Sequence, residues 1–188
     1  MLKFKSRLPK LFFKLNKVLF GKNLKMIGYP FVFRYPKASL SIGDNCSINS
    51  TFFSNLIGLY QRAIIVARGE GKISIGNNVG ISGATIYARN SIEIGDYTLI
   101  GANSKILDND FHSLDDIERM NDDYSNIKSR PIKIGRNVFI GCNSLILKGT
   151  ELGDNCIIGA GSVVSGKFEP GCVIAGNPAK VIRRKDNG

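Results

Sequence analysis

The chain has 188 residues, among them 21 glycines, six prolines and no tryptophan. This length suits one domain with a single well-buried core, and the abundant glycine favours regularly spaced turns over disorder or a helical bundle. No run of 18 uncharged apolar residues occurs in the sequence, which argues against a membrane-spanning helix. Basic residues interrupt every apolar stretch near the N-terminus, so a secretory signal is not expected.

The net charge of +11 comes from one end of the chain. Residues 1–43 contain ten Lys or Arg and no acid, and the remainder, with 16 basic and 15 acidic residues, is close to neutral. A charge confined to one segment does not predict a basic surface on the main body. We therefore expect no nucleic-acid partner.

The four cysteines, at positions 46, 142, 156 and 172, lie far apart in sequence. They lack the paired spacing of a zinc site or a redox motif, and the chain has one histidine, so no metal site is expected. Cys46 and Cys156 each lie four residues after an aliphatic residue of the six-residue repeat described below, at a position that favours a small buried side chain. This position indicates reduced thiols and a cytoplasmic location.

The first predicted element is a basic amphipathic helix from Leu8 to Leu19, within a segment assigned to residues 1–40. Pro9 suits its first turn, and Lys10, Lys14 and Lys17 lie opposite an apolar stripe formed by Leu8, Leu11, Phe12, Leu15, Val18 and Leu19. The stripe is expected to pack on the rest of the chain or on a neighbouring copy. The alternative is contact with an anionic membrane surface.

A six-residue period follows this segment. Aliphatic residues recur at this spacing in blocks, often followed by Gly and, four positions on, by a small residue: Ile42 and Ile48, Ile75 and Ile81, Ile94, Ile100 and Ile106, then Ile134, Ile140, Ile146, Leu152, Ile158 and Val164. The period matches neither a helix nor a plain alternating strand. It predicts three short strands per turn of a triangular coil, with the aliphatic residue inward and Gly, Asn or Asp at the corners.

These repeats predict an all-β fold, a parallel β-helix over residues 41–178 followed by a basic tail at 179–188. Ile106 and Ile134 lie 28 residues apart. About ten residues beyond one full turn must therefore leave the regular path, in a loop at about 107–131.

His112 lies in this loop, where the repeat breaks. Loops on a rigid scaffold often carry functional groups, and histidine accepts a proton near neutral pH. Asp108 or Asp110, or an acid further along the loop, is expected to orient the imidazole; the later candidates are Asp115, Asp116 and Glu118.

Three segments carry a resemblance to a known family: IGDYTLIGANSKILDNDFHS, PIKIGRNVFIGCNSLILKGTELGDNCIIGAGSVVSG and AGNPAKVIRR. The stretch from Ile73 to Arg184 resembles the hexapeptide-repeat acyltransferases, and within them the galactoside, maltose and serine acetyltransferases and the enzymes that acetylate surface polysaccharides. The resemblance implies a left-handed coil, a homotrimer with active sites between subunits, and acetyl-CoA as the acyl donor.

The resemblance also implies the roles of individual residues. His112 is then the general base, and the acceptor is expected to contact Ser82, Asp108, Asp110 and Phe139. Two of these depart from the best-known sugar acetyltransferases, because Ser82 stands in place of Asn and Phe139 in place of Trp. Donor binding falls to small residues along a groove and to two basic residues near the C-terminus: Gly141, Cys142, Ala160, Gly161, Lys180 and Arg183.

The function that this pattern favours is transfer of an acetyl group to a sugar hydroxyl in O-antigen, capsule or exopolysaccharide synthesis. An N-acetyltransferase of an amino sugar uses the same base, so the residues do not separate the two. Two further functions fit the same fold, that of an antibiotic acetyltransferase and that of a non-catalytic platform. Retention of His112, Lys180 and Arg183 disfavours the platform.

Overall fold

The computed structural model describes residues 7–184, with side chains from Lys10 onward. Twenty-one short strands, numbered in chain order, form three sheets. The seven strands of sheet A, in stacking order, are β1 (Leu19–Phe20), β4 (Ser39–Ile42), β7 (Lys72–Ile75), β10 (Ser91–Ile94), β13 (Ile132–Ile134), β16 (Glu151–Leu152) and β19 (Lys167–Phe168).

The other two sheets are built in the same way. Sheet B contains β2 (Lys25–Gly28), β5 (Ser47–Ser50), β8 (Gly80–Ser82), β11 (Leu99–Ile100), β14 (Phe139–Ile140), β17 (Ile157–Ile158), β20 (Cys172–Gly176) and β21 (Ala179–Arg184). Sheet C contains β3 (Phe31–Arg34), β6 (Ile64–Ala67), β9 (Thr85–Ala88), β12 (Lys105–Leu107), β15 (Leu145–Leu147) and β18 (Val163–Val164). From β1 to β20, successive strands belong to A, B and C in turn, so the chain winds into a left-handed parallel β-helix of triangular section. The predicted fold class is confirmed.

The core is a set of aliphatic ladders along the coil axis. Every aliphatic position of the predicted repeat is at most 3% exposed. Parallel pairing sets the register, as in Ile92 beside Ile73 on one side and Ile132 on the other. Each turn therefore places its aliphatic side chains directly over those of the turn before.

The corners need a left-handed backbone conformation and close approach of successive turns, and different residues provide the two. The left-handed backbone conformation is taken mainly by asparagine, as at Asn137 (φ 53°) and Asn143 (φ 57°), which tolerates it better than other non-glycine residues. Glycines that directly follow an aliphatic residue allow close stacking of successive turns instead. A Cβ at Gly95 would lie 2.6 Å from the backbone of Gly135 in the next turn.

The coil begins earlier than the sequence predicts, at Leu19 instead of residue 41. Strands β1, β2 and β3 pair with β4, β5 and β6 and bury Leu24, Met26 and Val32. The six-residue spacing continues there through Phe20, Met26 and Val32, with Gly21 after the first. Two of these three positions are not aliphatic, being phenylalanine and methionine, so a search for aliphatic repeats did not reveal this turn. At the other end, β21 lies within the predicted tail and pairs antiparallel with β20.

Helix α1 (Arg7–Leu15) covers the open N-terminal end of the coil. Phe13, which is fully buried, and Val18 join the core. The helix ends at Leu15 and not at the predicted Leu19. Of the predicted stripe, Val18 packs on this chain, whereas Leu11, Phe12, Leu15 and Leu19 are 44–73% exposed. The side chain of Leu8 lies outside the described residues. Within residues 7–184, no helix is both long and apolar enough to cross a bilayer.

Two excursions leave the coil at its corners. Residues 51–63, between β5 and β6, include a single 3-10 turn at Phe52–Ser54. Residues 108–131, between β12 and β13, include helix α2 (Asp116–Met120). The prediction that this span contains a full turn of coil is wrong, because β12 leads out to the excursion and β13 stacks directly on β10.

The aliphatic ladders predict a large cost for truncation. Ile92→Ala is expected to lower the free energy of unfolding by about 2–5 kcal/mol, because it leaves a cavity between two turns. Urea unfolding followed by circular dichroism measures this loss. Glu93→Ala, at the neighbouring exposed position of β10, is the control and should stay within about 0.5 kcal/mol of the parent. Equal losses would show that the ladder does not dominate stability.

Candidate active site

His112 lies in a surface pocket at the corner between sheets C and A. The pocket has a volume of about 360 Å³. Its lining residues are Arg68, Tyr87, Arg89, Asn109, Phe111, His112 and Tyr124. The imidazole is exposed, with its ring centroid 5.7 Å from that of Tyr124. A base at this position can reach a ligand that enters the pocket.

A buried carboxylate ties the start of the His112 loop to the coil. Asp108 is fully buried and accepts the backbone N–H groups of Arg89 and Asn90 at 2.8 and 2.7 Å. Burial raises the pKa of the Asp108 carboxyl, and these hydrogen bonds oppose the rise. Its contacts therefore indicate a structural role in place of the predicted contact with the acceptor or with His112.

The next residues set the direction of the loop. The side chain of Asn109 donates to Asp108 and accepts the backbone N–H of Phe111 at 2.9 Å. Phe111 has φ 64°, a conformation that is strained for a bulky residue. Its ring packs against Tyr87, with centroids 4.8 Å apart. The backbone N–H of His112 then donates to the carbonyl of Asp110 at 2.8 Å.

Three of the other four predicted orienting acids contact other groups, and the fourth, Asp116, lies exposed in the first turn of helix α2. Asp110 forms an ion pair with Lys148, Asp115 caps helix α2, and Glu118 accepts from Ser113 and Asn126. Within residues 7–184, no hydrogen bond joins any of the five candidate acids to the imidazole. One oxygen of Asp110 is buried without a partner among the described residues, so this carboxylate alone keeps a buried acceptor free.

A second depression, of about 390 Å³, lies along sheet B at its corner with sheet C. It brings together Phe139, Gly141, Cys142 and Ala160, four of the residues predicted to bind ligand. Gly161 follows Ala160 at the same corner, and a Cβ added there would meet no atom within 4 Å. Small side chains leave this wall open to close approach by an extended ligand.

Ser82 lies on sheet B as well, beside this groove and away from His112. Its hydroxyl accepts from the side-chain amides of Asn49 and Asn55, each at 3.2 Å, and Asn55 lines the groove. The predicted acceptor contacts Ser82 and Phe139 therefore share a face with the predicted donor residues.

Lys180 and Arg183 lie on β21, exposed at the C-terminal end of sheet B. Their strand continues the sheet that bears the groove. The arrangement suits a ligand that lies along the coil axis with its anionic end at the C-terminus.

The groove and the His112 pocket occupy different corners of the triangle, and no lining residue belongs to both. One chain therefore does not bring the predicted base and the predicted donor site together. The resemblance had implied this, since it places the active sites between subunits.

Sequence reasoning missed the two arginines of the His112 pocket. Ala67 and Ala88 pair in register, so Arg68 and Arg89, which follow them, stack on successive turns. The shared Ala-Arg pair was the available signal. It was hidden because the two positions are 21 residues apart, three more than one regular turn.

The four cysteines are free, and Cys46 and Cys156 are buried as the repeat predicts. Burial raises the pKa of both thiols. Across residues 7–184, no three His, Cys, Asp or Glu side chains group closely enough to hold a metal ion.

Comparison with known proteins identifies the family. Residues 131–166 match the family described as bacterial transferase hexapeptide (six repeats). WbbJ of Escherichia coli, a putative lipopolysaccharide biosynthesis O-acetyltransferase, is 31% identical over 172 residues, or 88% of this chain and 82% of that protein. The chain belongs to the hexapeptide-repeat transferases. Galactoside O-acetyltransferase of Escherichia coli is 40% identical over 117 residues, which span 58% of this chain and 56% of that relative.

Two solved structures share the fold of this chain. A galactoside acetyltransferase in complex with coenzyme A gives a TM-score of 0.59 at 25% identity, over 98% of this chain and 72% of that one. AntD, an N-acyltransferase from Bacillus cereus in complex with dTDP and 3-hydroxybutyryl-CoA, gives a TM-score of 0.70 over 99% of this chain and 92% of that one. Its identity of 22% supports the fold alone.

The contacts of Asp108 predict a loss of stability on a near-isosteric change. Asp108→Asn places an amide N–H₂ where the carboxylate accepts a backbone N–H, so one buried donor loses its partner. We expect a loss of about 1–3 kcal/mol in the free energy of unfolding. Asp116→Asn, at an exposed position of the same excursion, is the control for urea unfolding. An unchanged Asp108→Asn protein would refute the tethering role.

Proposed function

We propose that this hexapeptide-repeat transferase moves an acetyl group from acetyl-CoA to a sugar hydroxyl during assembly of a surface polysaccharide. The observation that carries the proposal is the chain's one histidine, exposed in a pocket at the break in the coil. The names of WbbJ and galactoside O-acetyltransferase support O-acetylation of a glycan.

The proposed reaction is a direct transfer. The imidazole of His112 takes the proton of the acceptor hydroxyl as its oxygen attacks the thioester carbonyl. The carbon–sulfur bond then breaks, and the CoA thiolate leaves and receives a proton. A thioester is already activated, so positioning the two substrates and removing one proton supplies much of the acceleration.

We propose that acetyl-CoA lies in the groove on sheet B. Gly141, Cys142, Ala160 and Gly161 would let the pantetheine arm approach the backbone, with Cys142 as a wall residue and not a nucleophile. Lys180 and Arg183 would meet the phosphates by charge-assisted contacts. The relative solved with coenzyme A supports a CoA donor.

A homotrimer would join the two halves of the site. A second chain would bring the His112 pocket of one subunit to the groove of the next, and Ser82 and Phe139 would then meet the acceptor from across the interface. The excursion at 51–63 supports a partner on this side, because Phe52, Phe53, Leu56 and Ile57 are 62–93% exposed beside the groove.

Of the candidate acids, we propose Asp110 as the orienting group. Its unpartnered buried oxygen supports this choice, and it lies two residues from His112. The ion pair with Lys148 fixes its other oxygen, so the carboxylate is held in place.

His112→Ala is expected to lower kcat by about 10²- to 10⁴-fold, because the general base is lost. CoA release with a panel of sugars and glycans measures the rate. Stabilisation by CoA in thermal unfolding should remain, which separates loss of catalysis from loss of donor binding. Turnover unaffected by His112→Ala would refute the mechanism, and absence of CoA stabilisation in the parent would favour a non-catalytic platform.

Paired hydroxyl and amino acceptors separate O- from N-acetylation. Glucose and glucosamine differ in one group, and an ester product is cleaved by hydroxylamine under conditions that leave an amide intact. The proposal predicts an ester product, which hydroxylamine cleaves. A stable product alone would assign the chain to the N-acetyltransferases.

We further propose that the protein works in the cytoplasm, with helix α1 against the anionic inner face of the membrane. Exposed Leu11, Phe12 and Leu15 beside Lys14 and Lys17 support this, since apolar and basic side chains together favour anionic lipid surfaces. Residues 1–6, also basic, lie outside the described residues.

Liposome flotation tests the membrane contact. The parent should float with phosphatidylglycerol-containing vesicles and much less with phosphatidylcholine alone, and Leu11→Gln with Leu15→Gln should abolish the difference. Ile117→Gln, at an exposed position of α2, is the control. Equal flotation of parent and double variant would contradict the proposal and indicate that the stripe faces another subunit.

A further inference from the structure

The His112 pocket contains an unassigned pair of positive charges. The Arg68 guanidinium donates to the Tyr87 hydroxyl at 3.3 Å, and its central carbon lies 5.8 Å from the ring centroid of Tyr35. Arg89 is half-buried, and among residues 7–184 no hydrogen bond or ion pair engages its guanidinium. Both side chains line the cavity that holds His112.

Two arginines that follow paired strands of adjacent turns place like charges on one wall of the pocket, and an anion bound between them would be stabilised by both. Strands of neighbouring turns are about 4.8 Å apart, and guanidinium groups stay charged in proteins. The lining of the pocket contains no carboxylate. Asp108 lies close enough for the charge of Arg89 to act on its carboxyl, but its two oxygens accept the backbone N–H groups of Arg89 and Asn90. Asp110 pairs with Lys148. Among residues 7–184, no carboxylate therefore forms an ion pair with either guanidinium.

The order of the turns favours the acceptor, and not the CoA donor, as the molecule that carries an anion to these arginines. Arg68 and Arg89 follow β6 and β9, on the N-terminal side of the loop that bears His112. The basic residues proposed for the CoA phosphates, Lys180 and Arg183, lie at the opposite end, on β21. If the thioester lies near His112, the arginines stand beyond it on the far side from the donor phosphates.

We propose that the acceptor carries an anionic group, a phosphate or a carboxylate, and that Arg68 and Arg89 bind it and place the acceptor hydroxyl beside His112. Both anions match the paired N–H groups of guanidinium. The rings of Tyr87, Phe111 and Tyr124 offer apolar faces to a sugar ring in the same cavity. This inference rests on the proposed function and names the substrate class of that site.

The single histidine provides a test that needs no turnover. Protein labelled with ¹⁵N at histidine gives one pair of imidazole signals, which are titrated with methyl phosphate, glucuronate or glucose at constant ionic strength and pH. We expect a saturable shift with one or both anions and none with glucose. Arg68→Gln with Arg89→Gln should abolish the shift, and Arg136→Gln, exposed at another corner of the coil, should keep it.

Kinetics then separate the two anions. CoA release is compared for glucose, glucuronate and glucose 1-phosphate. Loss of each arginine is expected to lower kcat/KM for an anionic acceptor by about 10- to 100-fold, chiefly through KM. Rates with neutral acceptors should change little. Preference for glucuronate assigns the pair to a carboxylate, and preference for glucose 1-phosphate assigns it to a phosphate.

The outcomes distinguish this inference from the proposed function. No saturable shift, or a shift that survives in the double arginine variant, would overturn the anion site even if His112-dependent acetylation is found. Failure of CoA to stabilise the parent would overturn the proposed function, whereas the histidine titration reports on the arginine pair independently.

Discussion

Stacking of aliphatic side chains along the axis is the interaction on which the rest of the molecule depends. Full burial of each such side chain contributes about 1.5–3 kcal/mol, and the parallel register places each one on its counterpart in the next turn. Because the contact repeats from turn to turn, the positions of all corners follow from it. The groove, the His112 pocket and the arginine pair all lie at these corners.

The sequence predicts the ladders and the His112 loop well, because both follow from spacing. It fails where other residue types replace the aliphatic ones and where contacts are not periodic. The first turn keeps the six-residue spacing at Phe20, Met26 and Val32, but two of these residues are not aliphatic. Helix α1 buries Phe13 while its neighbours Leu11, Phe12 and Leu15 stay exposed. The spacing from His112 made Asp108 a candidate for the active site. Its side chain is instead buried in the corner and accepts two backbone N–H groups.

The triangular section explains why the site is divided. Each corner of one chain faces a different direction, so the proposed base at one corner and the proposed donor groove at another cannot meet within the same triangle. A symmetric assembly of three copies would place unlike corners side by side. The proposed donor and acceptor would then have separate walls, with small residues on one and aromatic and basic residues on the other.

The excursion at 108–131 leaves and rejoins the coil without disturbing it. Ile132 stacks on Ile92 as if the intervening residues were absent, and Asp108 and the Asp110–Lys148 pair anchor the departing end. The length and sequence of this excursion can therefore change without altering the aliphatic ladders or the groove. Because Asn109, Phe111, His112 and Tyr124 line the His112 pocket, a grafted loop would change the lining of this pocket and leave the aliphatic ladders in place.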